Sequence, residues 1–150
     1  MSAIWRKPMS HLEAMHAHTD ETAVRHLGIE IVEWGDEYVR GRVPVDGRTK
    51  QPFGLLHGGV SVVLAETLGS MGAYMASPEG HMAVGLDINA NHLRPVRSGW
   101  VTGTARPVHL GRSTQVWHID MVDDDGRLTC VSRITMAILP PGSQGSGESR

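Results

Sequence analysis

Glu66 is the only charged residue between Gly58 and Ala76, and its neighbours Val62, Val63, Leu64, Leu68 and Met71 are apolar. A carboxylate in such company costs free energy unless it is hydrogen-bonded or functional. It can act as general base or nucleophile, or it can reach the helix edge and be solvated there. Ser70 follows four residues later. On a helix it shares the face of Glu66 and can hold the carboxylate, or a water, beside it. Just upstream runs Gln51-Pro52-Phe53-Gly54-Leu55-Leu56-His57-Gly58-Gly59. Two glycines at a helix start let a ligand approach the backbone, and the free N–H groups there favour an anion. Together the two features suggest an oxyanion held beside a carboxylate. A glycine cap with no further role is the bland alternative for Gly58-Gly59.

Spacing constrains this pair. Gly58 and Glu66 lie about 12 Å apart along one helix axis. Oxyanion donors and an attacking group must both come within about 3 Å of one reacting carbonyl. A single chain cannot bring them together. If both act, Glu66 of one copy meets Gly58 of a second, with two antiparallel helices side by side at a dimer interface.

The surrounding pattern supplies elements to position these residues. Met9 to Leu27 reads as short, polar helical material with Gly28 as its stop. Ile29 to Trp34 and Tyr38 to Val45 read as strands joined at Gly35-Asp36, with Val39, Val43 and Val45 on one face and Arg40 and Arg42 on the other. Gly58 to Ala76 is the one long helix, ended by Ser77-Pro78-Glu79-Gly80. It is apolar around most of its circumference, so most sides are expected to be buried. Four strand-like runs follow: Ala83 to Leu93, Trp100 to Leu110, Thr114 to Val122 and Leu128 to Leu139. In the first, Val84, Leu86, Ile88 and Ala90 alternate with Asp87, Asn89 and Asn91. In the last, Leu128, Cys130, Ile134, Met136 and Ile138 share a face. Short connections predict a mostly antiparallel sheet. The fold class is α+β, with the sheet wrapped around one helix.

Composition narrows the function. The 150 residues suit one domain, 40% hydrophobic and 20% charged, which excludes a wholly disordered chain. One Cys excludes a disulfide framework. A net charge of −2 gives no basic field for nucleic acid. The chain carries no apolar run of about 20 residues and no leader-like apolar stretch near its start. No membrane partner and a cytoplasmic location are therefore expected. Nine His residues raise the question of a metal, but no His-Glu-x-x-His or Cys pair is present and none is expected to bind one. Met71 and Met75 read as core packing, with an acyl-pocket role as the rarer option.

Gln51 to Gly59, Leu64-Ala65-Glu66 and Gly69-Ser70 together resemble the hotdog-fold acyl-CoA thioesterases, in the branch of the phenylacetate-pathway and aryl-CoA enzymes. The wider stretch Val43 to Ser70 looks most like the bacterial 1,4-dihydroxy-2-naphthoyl-CoA thioesterases and their enterobactin-pathway relatives, and Asn89-Ala90-Asn91-His92, His109-Leu110-Gly111-Arg112 and Gln115-Val116-Trp117 extend the likeness. The resemblance spans about residues 28 to 139. It implies a hotdog domain there, with a curved antiparallel sheet of five to six strands around the helix. Residues 1–27 would be a helical extension and 140–150 a disordered tail. Glu66 would be the catalytic carboxylate, the Gly58 N–H the oxyanion donor, Gln51 an assistant with His57 nearby, and Ser70 the positioner of the water. His92, Arg94 and the turn Gly111-Arg112-Ser113-Thr114 would contact substrate and coenzyme A. His92 would lie nearer the acyl end, and ordinary solvated charge is the alternative for each Arg. Coenzyme A would be part of the substrate, with no separate cofactor. The chain would form a homodimer with sites at the interface and pair again as a dimer of dimers. Two rival readings are a non-catalytic acyl-CoA-binding hotdog domain and a hotdog acyl-thioester dehydratase. A lone carboxylate in an apolar helix argues against the first, and the motif around His57 and Glu66 against the second.

Overall fold

The computed structural model describes residues 2–143, so most of the expected tail lies outside the described residues. Two short helices, α1 (Ser10–His16) and α2 (Ala23–His26), come first. They are followed by β1 (Glu30–Trp34), β2 (Val39–Pro44), the helix α3 (Gly58–Ala76), β3 (Met82–His92), β4 (Trp100–Leu110), β5 (Thr114–Val122) and β6 (Leu128–Leu139). The strands form one antiparallel six-stranded sheet in the order β1-β2-β4-β5-β6-β3. β3 therefore leaves α3 and crosses to pair with β6, at the far edge from β1.

Helix α3 touches five strands, β2 to β6, so the sheet curls around it. It buries Leu64, Ala65, Leu68 and Ala73 against Val39, Val43, Val101, Trp117, Ile119 and Met136. Burying side chains of this size contributes about 1.5–3 kcal/mol each for the larger ones and drives the closure of sheet on helix. The expectation that most sides of α3 are buried holds for one face only. Val62, Val63, Thr67, Ser70 and Met71 are half-buried and Glu66 is exposed, because the sheet covers a single side of the cylinder.

The alternation expected in β3 fails at its centre. The pairing with β6 slips between Gly85 and Asp87. A bulge adds one residue and reverses the inward face. Ala83 points inward before it and Ile88 and Ala90 after it, while Val84 and Leu86 are exposed at 42% and 62%. Leu128 is also exposed, at 38%, since it starts β6 beside the 123–127 turn where the β5 register shifts.

Both ends of α3 are fixed by side chains distant from the apolar face. At the start, His57 is the N-cap and its Nδ1 accepts from the Gly59 N–H at 2.9 Å. At the end, Ser77 is extended before Pro78, and the carbonyls of the last turn need donors. Lys7 Nζ donates to the carbonyls of Tyr74 (2.8 Å), Ser77 (3.2 Å) and Pro78 (3.0 Å). Burial holds its ammonium below the ordinary lysine pKa. Nearby, Trp5 stacks on the buried Trp117 and meets Trp34 edge-on, and its Nε1 donates to the Gly35 carbonyl at 2.8 Å. The N-terminal segment is thus strapped across the C-terminal end of α3.

Candidate active site

The loop before α3 is shaped by turn chemistry. Gln51 N–H donates to the Leu55 carbonyl (2.8 Å) and Gly54 N–H to the Gln51 carbonyl (3.0 Å), with Gly54 at φ +83°. Gln51 Oε1 accepts from the Phe53 N–H, which leaves its amide NH2 free to donate outward. In the first turn of α3 the Gly59 N–H goes to His57 Nδ1, and those of Val60 and Ser61 go to the His57 carbonyl. Among the described residues none accepts from the Gly58 N–H. It is the free donor at the positive end of a 19-residue helix.

His92, the last residue of β3, lies directly over this glycine. A Cβ built on Gly58 would stand 3.0 Å from His92 Nε2, so the imidazole would have to shift by a few tenths of an ångström to admit one. Gln51, Gly58, His92 and Arg94 line one cavity of about 340 Å³, with Ser61 and Thr129 on its wall. Four of the residues singled out by sequence therefore meet in space, although Gln51 and Arg94 are far apart in the chain. His57 is exposed and its ring serves as the helix cap.

Glu66 and Ser70 line a different cavity, of about 730 Å³, with Thr67, Met71, Ile29 and Ile31 among its other walls. Met71 is thus a cavity residue, while Met75 is fully buried core. Ser70 Oγ is 3.9 Å from Met136 Sδ, a weak contact that leaves the hydroxyl available. Opposite Glu66 is Gly85, at the β3 bulge. A Cβ on it would come within 3.1 Å of Glu66 Oε1. Gly85 was not among the residues the sequence pointed to. Its signal was a glycine inside an alternating strand, which marks a bulge or a close approach.

The remaining predicted contacts sit elsewhere in the chain. Gly111 and Arg112 lie at the tip between β4 and β5, where they line a cavity with Ala76, Pro78 and His81 at the C-terminal end of α3. Gly111 N–H donates to the Thr114 carbonyl (2.9 Å), and the Ser113 carbonyl accepts from Ile138 (2.9 Å). Within one chain this turn is at the opposite end of α3 from Gly58, His92 and Arg94. Gly58 and Glu66 are likewise separate, on different cavities and about 12 Å apart along the helix.

A curved antiparallel sheet closed around one long helix is the hotdog architecture of thioesterases. The chain belongs to the Thioesterase superfamily, whose family model matches residues 53–130. That match contains Gly58, Glu66, Ser70, Gly85, His92 and the Gly111–Thr114 turn. A Haemophilus influenzae protein described as a putative esterase is 52% identical over 136 residues, covering 91% of this chain and 98% of its own. The 1,4-dihydroxy-2-naphthoyl-CoA hydrolase of Escherichia coli is 49% identical, over 91% of this chain and 99% of its own. A crystal structure of a Haemophilus influenzae thioesterase superimposes with a TM-score of 0.89 at 50% identity, covering 94% of this chain and 98% of that one.

Proposed function

We propose that this protein hydrolyses an acyl-CoA thioester with an aromatic or medium-chain acyl group, releasing the free acid and coenzyme A. The Escherichia coli relative makes 1,4-dihydroxy-2-naphthoyl-CoA the leading substrate. The observation that carries the reading is the pair of half-sites on α3: a free Gly58 N–H beside Gln51 and His92, and Glu66 with Ser70 in a separate cavity. In two antiparallel copies the halves complement each other, Glu66 of one copy facing Gly58 of a second. The exposed flank of α3 supports such pairing. So does the free edge of β3, where Met82, Val84 and Leu86 are 40%, 42% and 62% exposed.

The chemistry follows from these groups. The thioester oxygen accepts from the Gly58 N–H, with the Gln51 amide as a second donor, and this stabilises the charge that develops on it. Glu66 either takes a proton from a water held by Ser70, which attacks the carbonyl carbon, or attacks that carbon itself to form an anhydride that water then opens. In both routes the C–S bond breaks, and coenzyme A leaves as a thiolate that is protonated afterwards. A thiolate leaves readily, so a carboxylate and a fixed donor suffice. His92 and Arg94 would contact the incoming thioester, with the Gly111–Thr114 turn binding coenzyme A.

The test is hydrolysis read with a thiol-trapping reagent. The panel is benzoyl-CoA, 1,4-dihydroxy-2-naphthoyl-CoA, a medium-chain acyl-CoA and an acyl-carrier-protein thioester. Wild type is expected to favour an aryl substrate, and Glu66→Gln to lose about 10²–10⁴-fold in kcat. Full turnover in Glu66→Gln overturns the assignment of Glu66. Binding of coenzyme A thioesters by wild type without any hydrolysis would instead identify a binding domain.

A further inference from the structure

We infer that the N-terminal segment closes the far end of the acyl chamber, and that Met15, Thr19 and Val24 limit the length of acyl group accepted. The inference rests on the thioesterase reading of the Glu66 cavity. That cavity, of about 730 Å³, is bounded by α3 and β1 on one side and by Met15, Thr19 and Val24 on the other. Beyond them lies a shallow groove, largely open to solvent, lined by His11, Ala14, His18 and Tyr74. Met15, Thr19 and Val24 line both. They are the partition between the space that holds Glu66 and the space behind it.

The partition is held from both ends. Upstream, Lys7 is bound to three carbonyls at the end of α3. His11 Nδ1 lies 3.1 Å from the Tyr74 hydroxyl, with its Nε2 3.1 Å from Glu79 Oε1, and Leu12 is buried. Downstream, Thr22 caps α2 by accepting from the Arg25 N–H (3.3 Å), and the Val24 carbonyl accepts from the Ile29 N–H (3.0 Å) at the entry to β1. Between these anchors the three side chains stand as a wall.

Each is small or pliable. Met15 is unbranched and fills irregular gaps, so its size sets the opening between the two spaces. A flat aromatic acyl group fits in front of the wall. A long straight acyl chain needs the space behind it.

The experiment measures kcat/KM of the full-length protein for benzoyl-CoA, octanoyl-CoA and tetradecanoyl-CoA. It compares wild type, Met15→Ala, Met15→Trp and Glu66→Gln. One methylene at such a wall changes selectivity by about 10–200-fold. Met15→Ala is expected to raise the tetradecanoyl-to-benzoyl ratio at least about tenfold. Met15→Trp is expected to lower the octanoyl-to-benzoyl ratio by a similar factor. Should Met15→Trp fail to fold by circular dichroism, the Met15→Ala ratio decides. Ratios within about twofold of wild type in folded variants, with wild type active and Glu66→Gln inactive, overturn the inference alone. A wild type inactive on every thioester overturns the thioesterase reading and this inference with it.

Discussion

Two inactive variants should restore each other. The perturbations are Glu66→Gln, which removes the carboxylate, and Gly58→Val, which places a branched side chain where even a Cβ would meet His92 Nε2 at 3.0 Å. That crowding moves the imidazole and disturbs the oxyanion donor. Each variant alone is expected to fall about 10²-fold or more in kcat, the scale for losing one such group. If both residues act at one carbonyl, the axial gap of about 12 Å between them requires two chains to complete a site. A mixed dimer has one site with both defects and one with neither, because a two-fold interface uses each patch twice. Co-expression with two affinity tags and tandem purification isolates that mixed species. It is expected to turn over at about half the wild-type rate per dimer, and a random one-to-one mixture at about a quarter. The assay is thiol release from an aryl-CoA, with size-exclusion chromatography confirming assembly. A correctly assembled mixed dimer no more active than its parents would refute the shared-site geometry.

Three further outcomes follow from particular contacts. Gly85→Ala puts a methyl group 3.1 Å from Glu66 Oε1, so kcat is expected to fall about tenfold or more while circular dichroism stays native, as measured by steady-state kinetics. Lys7→Met strips the donor from three carbonyls at the end of α3 and is expected to cost about 1–3 kcal/mol in urea unfolding, with retained stability refuting the strap as a cap. Asp123 is held below its ordinary 3.8 by the Arg127 backbone N–H and guanidinium, so its folded pKa is depressed. Its stabilisation is therefore full above 3.8 and lost as pH falls through the folded value. The melting-temperature gap between wild type and Asp123→Asn should shrink on moving from neutral to strongly acidic pH. An unchanged gap would remove the Asp123–Arg127 contact from the account.

Features set by neighbours along the chain were legible in the sequence. Helix α3 spans Gly58 to Ala76 as expected, because an apolar run between Gly-Gly and Ser-Pro carries its own start and stop. The bounds of β4, β5 and β6 match as well, since alternation and turn residues are local signals. Helical periodicity alone puts Glu66 and Ser70 on one face, and their separation from Gly58 was simple arithmetic on that helix. Pairing with distant segments decided the rest. The β3 bulge at Gly85 exists because β3 must register against β6, and no window within β3 reveals that partner. Meeting of Gln51 with His92 and Arg94, and removal of the Gly111 turn to the other end of α3, depend on the strand order β6-β3 at the sheet edge. The strap is the furthest case: Lys7 finds its acceptors at Tyr74, Ser77 and Pro78. In a mostly polar N-terminal segment only the scattered Ile4, Trp5 and Leu12 hint at such docking. Only the closed fold brings unsatisfied carbonyls at a helix end within reach of a buried ammonium, and so decides where the chain before β1 must lie.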